Sequence, residues 1–523
     1  MAKRSFISGA IILMLAGFVV RIFGFIYRIY LSNLIGAEGM GVYELIFPIY
    51  SLIILTLTSG ISVAVSKMVA EEVARNYWSN LRKITGSALV IVVAAGVVVS
   101  AIIFFFMDFI SNDILKDGRT YYSLMVLVLS IPFIVAASAI KGYFYGIQNV
   151  TPTAVSQVVE QVVKIALVMG LAAYVADKGL EYACALATAG MAAGEISNLV
   201  LLYIVYFFKR KMNNGKFASR AGSLRKRVVV RNMLAIAVPV SFNRFVTSVM
   251  TAIEQILIPR RLLVGGLDYQ SSIEEFGRLS GMAMPLILFP SLVTTSLATT
   301  LVPAISEAIS LKDYRSVNYR ISKSIQLTFV MGFIFTALFF TFPNQIGNLL
   351  YKRENIGPML HDLAYLCIFI YLQQTMLGIL NGLGRQGVSL RNSMIGSAIR
   401  IGFVYFAVPV YGIHGYVIGA AASALVVCVL NIRIIMKTTG MVMDFRNWII
   451  KPGFVGILMF LTGKYIYSFF EMFHMGYTIT LISSVIGYVA AALALMFAFG
   501  ALDKDEVMKM FKKSPKSYHL KIR

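Results

Sequence analysis

Apolar stretches long enough to cross a bilayer, about 20 residues each for a helix, recur along the whole chain, and no other feature constrains its fold as tightly. They fall at 8–32, 42–66, 84–107, 121–145, 151–175, 182–208, 228–259, 279–302, 321–343, 359–381, 387–409, 411–436, 450–470 and 475–500, fourteen in all. Of the 523 residues, 58% are hydrophobic and only 14% charged, against roughly a quarter charged in an ordinary globular domain. In hydrocarbon every backbone N–H and C=O needs an internal partner. The expected fold is therefore an all-α polytopic membrane protein of fourteen transmembrane helices. The first stretch is longer than a signal-peptide core and no small-residue cleavage site follows it, so it is expected to remain as a helix.

Charge sets the expected orientation. With the N-terminus cytoplasmic, most Lys and Arg outside the apolar stretches fall in inner loops, as the positive-inside rule requires, and an even number of crossings returns the C-terminus to the same side. The loop KRKMNNGKFASRAGSLRKRVVVR, residues 209–231, holds nine cations and no acid. No nucleic-acid-binding module surrounds it and no aromatic platform interrupts it. Its expected partner is anionic membrane lipid, not nucleic acid, and the tail KKSPKSYHLKIR reads the same way. Cys184, Cys367 and Cys428 sit in apolar stretches without metal-ligand spacing, so they are expected to be packing residues, with no metal or other cofactor.

The chain also repeats itself. KGYFYGIQN followed by VVEQVVKIA compares with LGILNGLGR followed by IGSAIRIGF, and Gly142 and Gly378 stand 236 positions apart. Gly146 and Gly382, Lys164 and Arg400, Gly41 and Gly277, and Glu71 and Glu307 share that separation. Arg21 and Arg244 differ by 223, and a loop longer by about thirteen residues after the seventh stretch restores the register. Two units of six crossings each run in the same direction, which implies a pseudo-two-fold axis along the membrane normal and a substrate site at the interface of the repeats. The expected organisation is an N-lobe at 1–208, a basic cytoplasmic linker at 209–231, a C-lobe at 232–440, two further crossings at 441–500 and a basic cytoplasmic tail at 501–523. Pro48, Pro132, Pro239, Pro285 and Pro290 fall inside the stretches, where they kink or break helices.

A charged side chain at a helix centre costs about 2.5–3.5 kcal/mol even on the mildest insertion scale, so each one needs a partner, a wet cavity or a function. Arg21 and Arg28 lie seven residues apart, two turns of one helix face and about 10 Å. With Arg244 in the related seventh stretch they are candidate ligands for a phosphate group, since a guanidinium donates paired hydrogen bonds and stays charged at any biological pH. Lys164 and Arg400 are weaker cavity candidates. Glu160 stands four residues before Lys164, the spacing of an intrahelical ion pair. Glu44 is a candidate partner of the first-stretch arginines, and Glu254 of Arg244, Arg260 or Arg261. Glu44, Glu160 and Glu254 are equally candidates for coupling to H⁺ or Na⁺, and Glu195 for a helix-packing hydrogen bond. The cavity so described is basic and its cargo anionic.

No phosphate-binding G-x-x-x-x-G-K-[ST] loop, H-E-x-x-H, Cys-x-x-Cys or G-x-S-x-G occurs, so an enzyme is not expected. Energy would come from an ion gradient, the membrane potential or use of the product.

The segments AGFVVRIFGFIYRIYLSNLIGAEGMGVYELIFPIYSLI, SGISVAVSKMVAEE and KGYFYGIQNVTPTAVSQVVEQVVK resemble the stage V sporulation protein B branch of the polysaccharide flippases. That branch stands beside the MurJ lipid II flippases and, more distantly, the multidrug and toxic compound extrusion transporters. The resemblance implies two six-helix lobes in a V, with the last two crossings forming a groove for a lipid tail. It also implies undecaprenyl-diphosphate-linked sugars as cargo, flipped from inner to outer leaflet of a bacterial cytoplasmic membrane for peptidoglycan or spore cortex, with cell-wall enzymes as partners. Arg21, in VRIFGF, matches the first-crossing arginine of the MurJ pattern, whereas Arg28 falls one position beyond its second. Val42 stands near that family's acidic residue, and its LLRR run is missing. Two other functions fit the chain: an ion-coupled drug exporter on the same fold, and a non-transporting scaffold acting through the basic loop.

Overall fold

The computed structural model describes residues 6–75, 77–175, 177–212, 224–474 and 476–502. Every regular element among them is helical, the arrangement that satisfies backbone groups without help from solvent. Eleven helices are long and apolar enough to cross a membrane, or twelve if the pair Gly357–Leu363 and Leu366–Gly382, bent by 50°, counts as one crossing. The difference from the expected fourteen has local causes. Helix α1 (Phe6–Ala74) runs 69 residues through the expected loop at 33–41 and breaks only at Gly36, with φ 68° and ψ −175°, a conformation that a side chain would resist. The N–H of Ala37, orphaned by the break, donates to Glu354 Oε1 at 2.9 Å. The helix Gln386–Phe406, at the expected crossing 387–409, is not among the eleven; it carries Arg391, Asn392 and Arg400 in its body. The expected crossing at 279–302 is divided into a π-helical segment Gly277–Ala283, a short helix Met284–Leu288 and the helix Ser291–Ser310, with Pro285 and Pro290 withholding the N–H groups that would continue the ladder. Part of the basic loop, at 213–223, and the tail from 503 onward lie outside the described residues.

The chain forms two compact units. One holds the chain up to Pro285 together with Tyr351–Glu354 and Ser397–Gly419, and the other Leu286–Leu350, Asn355–Gly396 and the chain from Ala420. In the first, α2 (Trp78–Phe105), α4 (Thr151–Val175), α5 (Leu180–Met212) and α6 (Lys226–Val264) join α1 and the central α3 (Tyr121–Gly146). Helix α3 buries Leu127, Ile131, Val135, Ile140 and Phe144 in a core shared with Val65, Leu81, Ile84 and Met233. In the second unit, Ile305, Ile321, Ile379 and Trp448 make one core, and Ile334, Phe342, Met459, Tyr488 and Met496 another that fixes Lys451–Glu471 and Tyr477–Ala498 against Tyr314–Thr341. Cys184, Cys367 and Cys428 are buried free thiols, as expected of packing residues.

The 236-residue offset recurs contact by contact. A Cβ at Gly142 would strike the carbonyl of Ser62, and one at Gly378 the carbonyl of Ala298; Gly146 meets Val69 and the Ser66 carbonyl, Gly382 meets Ile305 and the Val302 carbonyl. Gly96 packs on Pro132 and Gly332 on Ile368. Both members of every pair are displaced by the same offset. The turns that follow agree as well. Ile147, Gln148 and Asn149 donate to the carbonyls of Tyr143, Tyr145 and Phe144, while Leu383, Gly384 and Arg385 donate to those of Ile379, Asn381 and Leu380. Gln148 and Gly384 both have positive φ, at 56° and 71°.

One contact is reciprocal. Gly41 faces the carbonyl of Ile273, and Gly277 faces the carbonyl of Ala37, again with each residue 236 positions from its mate. A pair in which i meets j while j's counterpart meets i's is the mark of a two-fold axis, so the pseudo-symmetry axis passes between Gly41 and Gly277. Helix α7 (Tyr269–Phe276) brings Ile273 to this point. Asp268 caps it, accepting from the Ser271 N–H at 3.1 Å, and that hydrogen bonding to Ser271 holds its carboxyl below the usual range.

A methyl group at either axis glycine forces backbone apart, a kind of overpacking that costs about 1–3 kcal/mol. Gly41→Ala and Gly277→Ala are each expected to lower the thermal unfolding midpoint of the detergent-purified protein. Gly170→Ala, where nothing lies within 4 Å, is expected to leave it unchanged or raise it by removing glycine's entropy cost, about 0.5–1 kcal/mol.

Candidate substrate site among the membrane charges

The charged residues of the first unit divide into those with partners and those without. Arg28 is fully engaged. Its Nε donates to the Gly281 carbonyl at 3.0 Å and its Nη2 to the Ser280 carbonyl at 2.9 Å, and Nη2 also closes an ion pair with Glu44. Glu44 and Ser280 are themselves repeat mates, 236 positions apart, so one guanidinium spans the pseudo-two-fold axis. The Glu44 side chain is 7% exposed, and a carboxylate that dry requires such a partner.

Glu254 is held in a second pair. Arg400 Nε lies 2.8 and 2.9 Å from its two oxygens and Arg400 Nη2 donates to Ser397 Oγ at 3.2 Å. The partners considered from the sequence are occupied elsewhere or distant along α6. Arg260 donates to the carbonyls of Asp113 and Ile114. Arg261 donates to the Tyr405 carbonyl at 3.1 Å and stacks 3.4 Å from the Tyr405 ring. Arg244 precedes Glu254 by ten residues, about 15 Å along a helix.

Lys164 and Glu160 do not close an ion pair among the described residues. Lys164 Nζ sits 4.3 Å over the Tyr27 ring of α1, a cation–π contact, and Glu160 Oε2 accepts from Asn198 Nδ2 at 2.6 Å. Gly190 and Gly194 of α5 allow this approach, lying against the backbone of Lys164 and Glu160. Lys164 and Arg400, repeat mates, thus both reach back to the first helix of their own repeat, one to an aromatic face and the other to a carboxylate. The same region holds Glu195, expected to make a helix-packing hydrogen bond, and two polar groups that the sequence alone did not single out, Gln161 and Asn198. Glu195 faces Tyr50, and Gln161 Oε1, Glu195 Oε2 and Asn198 Oδ1 are buried without a hydrogen-bond partner. Their polar character was visible in the sequence, their mutual proximity was not.

Arg21 and Arg244 complete the set. Both are exposed, and neither guanidinium has an ion pair or hydrogen bond among the described residues. On the helix surface exposed Phe18, at 47%, stands one turn from Arg21, and Ser241 and Thr247 stand one turn to either side of Arg244. Helices α1 and α6 pack together, Gly60 resting on the Ala237 carbonyl. Arg21 lies on α1 and Arg244 on α6.

A repeated all-helical chain with eleven or twelve helices, among the described residues, long and apolar enough to cross a membrane is a multi-pass membrane protein. More narrowly, the chain belongs to the polysaccharide biosynthesis protein family, whose model matches residues 6–309. It is 28% identical over 512 residues to stage V sporulation protein B of Bacillus subtilis (strain 168), covering 98% of each chain. Among solved structures it is similar to an inward-facing multidrug resistance MATE family transporter of the MOP superfamily, with a TM-score of 0.66 at 15% identity over 82% of this chain and 99% of that one. It is also similar to the lipid II flippase MurJ in an inward closed conformation, with a TM-score of 0.65 at 13% identity over 93% of this chain and 99% of that one. The fold is the one these two structures share, and the resemblance noted in the sequence extends along nearly the whole chain.

Removing one member of a buried pair strands the other, at a cost of about 3–5 kcal/mol. Glu254→Ala is expected to lower the unfolding midpoint sharply, and Glu254→Gln with Arg400→Gln to recover most of the loss. Thermal unfolding of the single and double variants in detergent checks this.

Proposed function

We propose that the protein is a flippase for a polyprenyl-diphosphate-linked glycan of the lipid II type, moved from the inner to the outer leaflet by alternating access. The observation that carries the reading is the contrast between Arg28 and Arg400, neutralised by Glu44 and Glu254, and Arg21 and Arg244, which have no acidic partner among the described residues. Two guanidiniums on apolar helices suit a diphosphate, because each donates charge-assisted, paired hydrogen bonds. Arg28 then belongs to the framework, holding the axis. In this reading the chain crosses the membrane fourteen times with both termini cytoplasmic, α1 supplying one crossing on each side of Gly36 and Gln386–Phe406 another. Two six-helix lobes form a V, and Lys451–Glu471 and Tyr477–Ala498 are the added pair. Their exposed Ile457, Leu461, Ile482 and Ile486 suit the polyprenyl tail. The coverage by the flippase structure, 93% against 82% for the drug transporter, favours such an addition. Coupling to H⁺, Na⁺ or the membrane potential, and service to cortex or wall synthesis, belong to the same proposal.

A cation-drug exporter on this fold would need free carboxylates, and the pairing of Glu44 and Glu254 with arginines disfavours it. Accessibility of fluorescent lipid II at the outer leaflet of proteoliposomes tests the proposal. Arg21→Ala and Arg244→Ala are each expected to slow flipping at least about tenfold, since a hydrogen bond to a charged group is worth about 1.5–3 kcal/mol. Full flipping by both variants at normal protein levels contradicts the diphosphate assignment. Dye export that depends on Glu44 or Glu254 would favour the exporter.

A further inference from the structure

The two repeats make the same turn after Gly146 and after Gly382, with the same three backbone hydrogen bonds, yet the space beside it differs. In the first repeat Trp78 and Ile147 pack against the hydrophobic core there, together with Leu224. Their mates in the second repeat, 236 positions on, are Tyr314 and Leu383. Tyr314 is 52% exposed, and a cavity of about 230 Å³ opens between Tyr314, Val317, Leu383, Arg385, Thr438 and Thr439. In the first repeat the same turn is flanked by Trp78 and Ile147 packed against the core, so the turn itself does not dictate what lies beside it.

The residue exchanged along with the filling is informative. Asn149 of the first repeat becomes Arg385 in the second. The Arg385 side chain is exposed and has no ion pair or hydrogen bond among the described residues. The carboxylate at the start of the neighbouring helix, Asp313, is occupied in accepting the Ser316 N–H at 3.0 Å. Lys312, Arg315 and Lys437 are exposed on the surrounding elements, as are Glu307 and Asp313, so with Arg385 cations outnumber acids around the mouth. Tyr314 and Thr438 line the cavity together with apolar Val317 and Leu383. The volume corresponds to about eight water molecules at roughly 30 Å³ each, room for a phosphate ester with a few carbons. In the orientation proposed above this end of the unit is cytoplasmic, at the depth of lipid headgroups.

We propose that this cavity is a phosphate-ester site of the second repeat, with Arg385 as its charged ligand and Tyr314 and Thr438 as hydroxyl donors, distinct from Arg21 and Arg244. The ligand is the phosphate of an anionic phospholipid headgroup or of a soluble phosphate ester. The site stands without the flippase assignment, because it is read by binding and not by transport.

Native mass spectrometry of the full-length protein extracted from phosphatidylglycerol or phosphatidylcholine vesicles tests it, with inorganic pyrophosphate as the soluble probe. The wild type is expected to retain anionic lipid or pyrophosphate. In an Arg21→Ala, Arg244→Ala background, which removes the diphosphate site proposed above, Arg385→Ala, and Tyr314→Trp with Arg385→Asn, which restores the residues of the first repeat, are each expected to lower that retention at least about fivefold with an unchanged unfolding midpoint. Displacement of the lipid by pyrophosphate, or binding of pyrophosphate alone, identifies a soluble ligand; retention of phosphatidylglycerol in the presence of pyrophosphate identifies a headgroup. The chain carries a net charge of +23, so non-specific attraction would barely register the loss of one arginine. Equal retention by both variants and the background that carries them overturns the proposal, as does equal retention of phosphatidylglycerol and phosphatidylcholine with no binding of pyrophosphate.

Discussion

The penalty for leaving an ionised group in a low-dielectric layer governs how this protein is built. A carboxylate or guanidinium there is expensive unless paired and hydrogen-bonded, and the first unit answers with discrete solutions. Glu44 and Glu254 are each matched to an arginine, Glu160 to an amide and Lys164 to an aromatic face. Against that background the solitary Arg21 and Arg244 stand out. Neither has a partner among the described residues, and in the proposed function the partner is the cargo.

The internal repeat organises these pairs. Glycines at equivalent positions let equivalent helices approach to backbone contact, and the Gly41–Ile273 and Gly277–Ala37 contacts close the two copies onto one axis. Arg28 reinforces the same axis by joining Glu44 to the carbonyl of its mate Ser280. Divergence between the copies is then informative, because a common framework holds everything else fixed. Lys164 meets a tyrosine where Arg400 meets a glutamate, and the cavity beside Arg385 exists in one copy where the other is filled.

Much of the fold was legible in the sequence because hydropathy and glycine spacing are properties of neighbouring residues. Gly142 and Gly378 fixed the repeat offset, and the structure carries it into the paired glycine contacts and the turns that follow them. The break in α1 was harder to locate. The segment SNLIGAEGMG reads as a loop, but the helix persists through it and yields only at Gly36, where Glu354, more than three hundred residues away, supplies the cap. Gln386–Phe406 carries Arg391 on its exposed surface, hydrogen-bonded to the adjacent Asn392, and Arg400, whose charge is answered by Glu254. Pairing was the least legible feature. Nothing local distinguishes Arg400 from Arg244, Arg260 or Arg261 as the partner of Glu254, since the choice depends on which helices lie side by side. For the same reason the i, i+4 spacing of Glu160 and Lys164 misled, Asn198 and Tyr27 being nearer than their sequence positions suggest.

The central claim is that Arg21 and Arg244 hold a diphosphate. Affinity of the purified protein for undecaprenyl diphosphate, measured against the uncharged alcohol undecaprenol, tests it most directly. If the claim holds, the wild type binds the diphosphate more tightly, and Arg21→Ala with Arg244→Ala weakens that binding by about 100-fold, corresponding to about 3 kcal/mol of lost charge-assisted hydrogen bonding, without altering affinity for the alcohol. Equal affinity of the double variant and wild type for the diphosphate would contradict it.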